Sequence, residues 1–158
     1  SGNNDIASGD DMFLLHKFKK RFPNEIHYLK SLSATVYTFP SPDLKEFFIQ
    51  RLRWSGKTIH YTDSVTIFVA WFIFIVNFSL VLSVLLSLIQ SGFAEILLLQ
   101  FIVKAAIDYL FLFLTSRFFN RNDLLFFFFP LSCIYPFYIF FTGVWGIVVR
   151  YKWKERVV

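Results

Sequence analysis

A chain of 158 residues that is 56% hydrophobic, with 23 phenylalanines and a net charge of +5, is too apolar for an ordinary soluble domain. Its basic residues flank apolar segments instead of forming a stripe interleaved with aromatics, which favours a membrane surface or an anionic substrate over nucleic acid. The single cysteine, Cys133, lies inside an apolar run and excludes an internal disulfide.

Composition shifts once along the chain. Residues 1–63 are mixed and charged, and the stretch from Ser64 to Val149 is nearly all apolar. This divides the chain into a polar part, 1–63, and a membrane region with a basic tail, 64–158. The opening Ser-Gly-Asn-Asn-Asp has no initiator methionine and no secretory pattern, so the chain is expected to be a fragment whose true start lies upstream.

Gly9-Asp10-Asp11 precedes a helical pattern. Leu14, Leu15, Phe18 and Phe22 fit one face, Lys17, Lys19, Lys20 and Arg21 fill the other face and the last turns, and Pro23 stops the helix. The acidic pair therefore sits at a helix N-terminus, where aspartates serve equally well as caps or as chemical groups. Residues 34–39, Ala-Thr-Val-Tyr-Thr-Phe, read as a short strand because β-branched and aromatic residues dominate. Pro40-Ser41-Pro42 breaks it. Ser41 is then predicted to cap a helix over residues 42–55, with Pro42 in its first position.

On that helix Leu44, Phe48 and Leu52 share an apolar face, while Gln50, Arg53 and Trp54 cluster on a different one. A guanidinium matches phosphate oxygens through paired hydrogen bonds, an amide adds a directed bond, and an indole offers a flat surface for stacking. The set suits a phosphorylated donor meeting a sugar acceptor. The same residues would also serve an amphipathic helix lying at the membrane surface, with Arg and Trp as anchors. His16, His27 and His60 have no metal-ligand spacing and read as surface or interface residues.

Three apolar segments follow, at about 65–88, 94–114 and 124–149. The second carries Lys104 and Asp108 four residues apart, which can form a structural ion pair or line a polar path. Pro130 and Pro136 kink or divide the third, and Gly143 and Gly146 would let a neighbouring helix approach closely. Basic residues before Val65, at Arg117 and Arg121, and in the tail at Arg150, Lys152, Lys154 and Arg156 meet the positive-inside rule in different ways. Three full crossings, favoured by the length of the third run, would put the tail on the wrong side; a re-entrant third segment would not.

Gln50-Arg51-Leu52-Arg53-Trp54 resembles the Q-x-x-R-W signature of membrane-integrated family-2 glycosyltransferases, the group of cellulose synthase, hyaluronan synthase and ceramide glucosyltransferase. Ser8-Gly9-Asp10-Asp11 with Leu14 resembles the acidic motif that precedes it in that family, and Ala34, Val36, Thr38 and Pro40 resemble the linking strand. The ending Tyr151-Lys-Trp-Lys-Glu-Arg156 resembles a Trp-Lys-Gly-Arg terminus, with Glu155 in place of the glycine. The resemblance implies a mainly α chain: the C-terminal remnant of a GT-A type α/β catalytic domain followed by about three transmembrane helices.

The resemblance also implies roles. Asp11 would be the general base of an inverting transfer, with Asp10 as support or helix cap. Gln50 and Arg53 would hold the departing diphosphate, and Trp54 would stack on the acceptor. The partners implied are a nucleotide-sugar donor, a lipid or glycan acceptor, the membrane, and the upstream catalytic half of the same protein; nucleic acid is not among them. That half would supply the ligands of a divalent cation, Mg or Mn, which this chain lacks, so the chain alone is expected to be inactive. The setting implied is a multi-pass protein of the inner membrane of a bacterium, with the catalytic part cytoplasmic. The rival expectation is a non-enzymatic small membrane transporter or assembly subunit with an amphipathic cytoplasmic segment, complete as given, whose Lys104–Asp108 pair lines a pathway.

Overall fold

A computed structural model describes residues 10–148 and the short stretches 152–153 and 156–157. It is mainly helical. The order is α1 (Asp10–Arg21), α2 (Leu44–Gly56), α3 (Ser64–Ser87), α4 (Gly92–Phe118) and α5 (Phe128–Val148), then a two-residue antiparallel ladder of β1 (Lys152–Trp153) and β2 (Arg156–Val157). Short 3-10 turns lie at Leu32–Ala34, Lys57–His60 and Asn122–Phe127. Two compact units divide the chain: Ser1–Ala70 with Thr142–Val158, and Trp71–Phe141.

In the first unit α1 packs through a face other than the predicted one. Phe13 and His16 are buried, whereas Leu14, Leu15, Phe18 and Phe22 are exposed. The reason is Tyr61, whose ring meets Phe13 edge-on at 6.1 Å and His16 edge-on at 5.2 Å. Two rings three residues apart make one aromatic surface, and a third ring selects it over the aliphatic stripe. The helix ends at Arg21, ahead of Pro23, which has no N–H to continue the ladder.

Residues 34–39 are not a strand. Ala34 closes a 3-10 turn, and the extended chain beyond it has no ladder partner among the described residues. Val36, Tyr37 and Phe39 are 84%, 85% and 100% exposed, so the β-forming side chains have nothing to pack on. The cap of α2 also differs from expectation. Asp43, not Ser41, is the N-cap: its backbone is extended and its Oδ1 accepts from Glu46 N at 2.7 Å. A carboxylate answers the positive helix end better than a hydroxyl, and α2 accordingly starts at Leu44.

Asp63 opens α3 in the same manner. Its carboxylate accepts from Thr66 N at 2.9 Å and Thr66 Oγ1 at 2.8 Å, and from Lys19 Nζ of α1 at 2.6 Å. The Lys19 bond first, and the two Thr66 bonds next, hold this carboxyl well below its ordinary 3.8. A folded-state value below the unfolded one means that the unfolded chain binds more protons, so stability rises with pH. The contribution is complete above the ordinary carboxylate value and is lost as pH falls below it. We expect Asp63→Asn to lower the unfolding midpoint in detergent at neutral pH, with the gap to wild type closing in acid; a gap independent of pH would exclude the bond set as its source.

In the second unit polar groups are buried alongside Leu80 and Val81, and most large apolar side chains are exposed. Asn77, Ser83 and Ser132 are buried, at 2%, 6% and 6% exposure, while Leu98, Phe111, Phe129 and Ile134 are 60% or more exposed. Ser83 Oγ donates to Gln100 Oε1 at 2.8 Å, joining α3 to α4 through polar groups, and Lys104 pairs with Asp108 beneath the Tyr135 ring, 5.0 Å from its centroid. Phe140 stacks on Phe74 and Phe78, and Tyr109 and Phe101 meet Phe128 and Phe129. Buried polar contacts with apolar side chains facing outward suit a hydrocarbon solvent, where helix contacts use small and polar residues.

Three spans, Ser64–Ser87, Gly92–Phe118 and Asn122–Gly146, are long and apolar enough to cross a membrane. At 1.5 Å per residue the 24 residues of α3 make about 36 Å of helix, against a hydrocarbon core of about 30 Å. Asn120, at φ 54°, ends α4: its N–H reaches Arg117 O, and Arg121 N reaches Ser116 O at 2.8 Å, which satisfies the last carbonyls. The third segment begins as a 3-10 turn over Asn122–Phe127 and continues as one helix. Pro130 lies in its first turn, where no donor is needed, and Pro136 is buried within it.

Candidate functional site

Gln50, Arg53 and Trp54 come together on α2, as their spacing requires. Gln50 and Arg53 are half-buried and Trp54 is 45% exposed. Gln50 Oε1 lies 3.5 Å from Ser41 Oγ, the long limit of a hydrogen bond, so the segment before α2 only lightly restrains this amide.

Sequence reasoning missed Arg51. Its guanidinium carbon sits 4.4 Å over the Trp54 ring and 4.8 Å over that of Phe47. A cation over a ring face is attracted by the ring quadrupole, and the contact fixes the indole plane. Arg51 thus packs on the aromatic pair of Phe47 and Trp54. The signal was present: Phe47, Arg51 and Trp54 stand at i, i+4 and i+7, one row along the helix.

Asp10 and Asp11 occupy the first turn of α1, where the helix dipole favours negative charge. Asp11 is exposed; the side chain of Asp10, with Ser8 and Gly9, lies outside the described residues. Tyr61 stands near Asp11. Burial first, and the Asp11 charge second, raise its phenol above the ordinary 10.0. His16 is a core residue, not a surface one, and neither of its ring nitrogens has a hydrogen-bond partner. The structure thus makes two groupings: Tyr61, after the 3-10 turn Lys57–His60, beside Asp11 and His16 of α1, and Gln50, Arg51, Arg53 and Trp54 on α2.

Among the described residues no group of three or more His, Cys, Asp or Glu could hold a metal ion. Of the terminal motif, Tyr151, Lys154 and Glu155 lie outside the described residues. Comparison with protein-family models, curated proteins and solved structures finds no match to this chain.

Proposed function

We propose that the chain is the C-terminal, membrane-embedded part of an inverting glycosyltransferase that moves a sugar from a nucleotide-sugar donor to a lipid or glycan acceptor. One observation carries this reading: an amide, a guanidinium and an indole share one stretch of a helix that leads directly into membrane-length helices, with an exposed carboxylate at a helix N-terminus upstream. In the proposed chemistry the Asp11 carboxylate takes the proton of the acceptor hydroxyl as that oxygen bonds to the anomeric carbon. The bond from that carbon to the diphosphate breaks, and Arg53 and Gln50 receive the charge that develops on the leaving oxygens. Trp54, with its plane set by Arg51, stacks on the acceptor and holds the hydroxyl in line.

The reading needs a donor-binding half outside these residues, which would also hold the divalent cation. It places the protein in the inner membrane of a bacterium, with the catalytic part cytoplasmic. The test is a donor screen: the full-length protein in detergent, offered a panel of nucleotide sugars with lipid and glycan acceptors. Transfer of one sugar, with the diphosphate released, is the expected result. A protein that neither binds nor hydrolyses any of them would instead support a non-enzymatic membrane subunit. The Lys104–Asp108 pair gives that rival little support, because Lys104, 10% exposed and covered by the Tyr135 ring, is held as a structural pair would be.

A further inference from the structure

Among the described residues, a side-chain hydrogen bond spanning 87 positions of sequence ties the first unit to the far end of the chain. Ser55 Oγ of α2 donates to the carbonyl oxygen of Thr142 on α5 at 2.7 Å, sharing its one proton with Leu52 O at 3.0 Å. One turn further along α5, Gly146 is buried against the same residues. A Cβ at position 146 would overlap Ser55 Oγ and come within 2.9 Å of Leu52 O and 3.0 Å of Ser55 Cβ. The glycine is therefore what lets the two backbones approach, and its neighbour is α2 rather than a membrane helix.

The contact has a definite place on α2. At about 100° per residue, Leu52 and Ser55 lie on the side of the helix roughly opposite Gln50, Arg53 and Trp54. The end of α5 thus grips the back of α2, on the apolar face that also carries Leu44 and Phe48, and the polar and aromatic face is turned the other way.

We infer that the last two turns of α5 form a clasp that holds α2 from behind, and that α5 consequently ends on the same membrane side as α2. If α3 and α4 each cross, the chain returns to the side of α2 at Arg117 and Arg121. A segment that leaves that side at Arg121 and ends clasped to α2 has both its ends on one side, so α5, although one unbroken helix, does not complete a third crossing and lies oblique to the bilayer. The charges agree. Every basic cluster then lies on one side: Lys17 to Arg21, Arg51 to Lys57, Arg117 with Arg121, and the tail from Arg150. The connection on the opposite side, Leu88–Ser91, carries no charge. A full third crossing would separate the tail from the rest of this set.

The contact is independent of the chemistry proposed for α2, and so is its test. The one native cysteine, Cys133, is replaced by serine in the full-length protein. In that background Ser55→Cys with Gly146→Cys should form an intramolecular disulfide on mild oxidation in native membranes, because the two Cβ positions are 3.0 Å apart and need to open only slightly to reach the span of about 3.5–4.5 Å that a disulfide takes up. In sealed vesicles, Val148→Cys, at an exposed position at the end of α5, should react with a membrane-impermeant maleimide from the same side as Lys45→Cys on α2. Failure to crosslink when both thiols react with a permeant maleimide would overturn the clasp. Labelling of positions 148 and 45 from opposite sides would overturn the shared sidedness.

Discussion

Replacing Asp11 by asparagine in the full-length protein is expected to lower the rate of sugar transfer by about 10²–10⁴-fold, the usual contribution of a positioned general base, with donor affinity unchanged. Asparagine keeps the size and hydrogen-bonding shape of the side chain but cannot accept the acceptor's proton. It also remains acceptable at a helix N-terminus, so α1 should fold as before. A second readout checks the geometry without relying on turnover. Asp11 is the lesser of the two causes that raise the Tyr61 phenol, and burial is the greater. In Asp11→Asn the ultraviolet titration of Tyr61 should therefore move down yet stay above the ordinary 10.0. A variant with near wild-type transfer and a shifted Tyr61 would leave Asp11 where the structure puts it and remove its catalytic role. An unshifted Tyr61 would count against the placement itself.

The membrane helices were legible in the sequence because their signal is local. A run of apolar residues long enough to span hydrocarbon needs no distant partner to be recognised, and 65–88 became Ser64–Ser87. What the sequence misled on depends on contacts with residues far along the chain. α1 has two plausible buried faces, and only Tyr61, beyond α2, decides between them. Residues 34–39 have strand propensity, but that propensity expresses packing on a sheet, and no sheet is there to receive Val36, Tyr37 and Phe39. The start of α2 shifted by two residues because Ser41 and Asp43 are both good caps and only the carboxylate is used.

The candidate site divides along the same line. Helical spacing alone brings Gln50, Arg53 and Trp54 together, and it could equally have revealed Arg51 over Trp54 and Phe47. The α5 clasp could not be read that way. Gly146 is visible in the sequence as a place of close approach, but that it approaches Ser55 and Leu52 is a long-range fact of the fold.

The arrangement around Arg51 sets the second large effect. Arg51 and Arg53 are near neighbours, and either could in principle meet a diphosphate. Arg51 is already engaged over two rings, with its guanidinium 4.4 Å from the Trp54 ring. Turning it toward phosphate would give up both contacts and release the indole plane. Arg53 therefore has no substitute on this helix. Arg53→Ala should lower kcat by about 10²–10³-fold, the cost of removing one group that stabilises developing charge. Donor affinity should fall less, because the interaction strengthens as the leaving oxygen gains charge. Arg53→Lys should recover only part of the loss, since an ammonium cannot offer the two parallel N–H bonds of the planar fork. Rates with a donor carrying a better leaving group discriminate further. If Arg53 stabilises the departing diphosphate, the deficit of Arg53→Ala shrinks as the leaving group improves. A deficit that stays constant across such donors would mean that Arg53 serves α2 as a membrane-surface anchor, and the diphosphate role would be withdrawn.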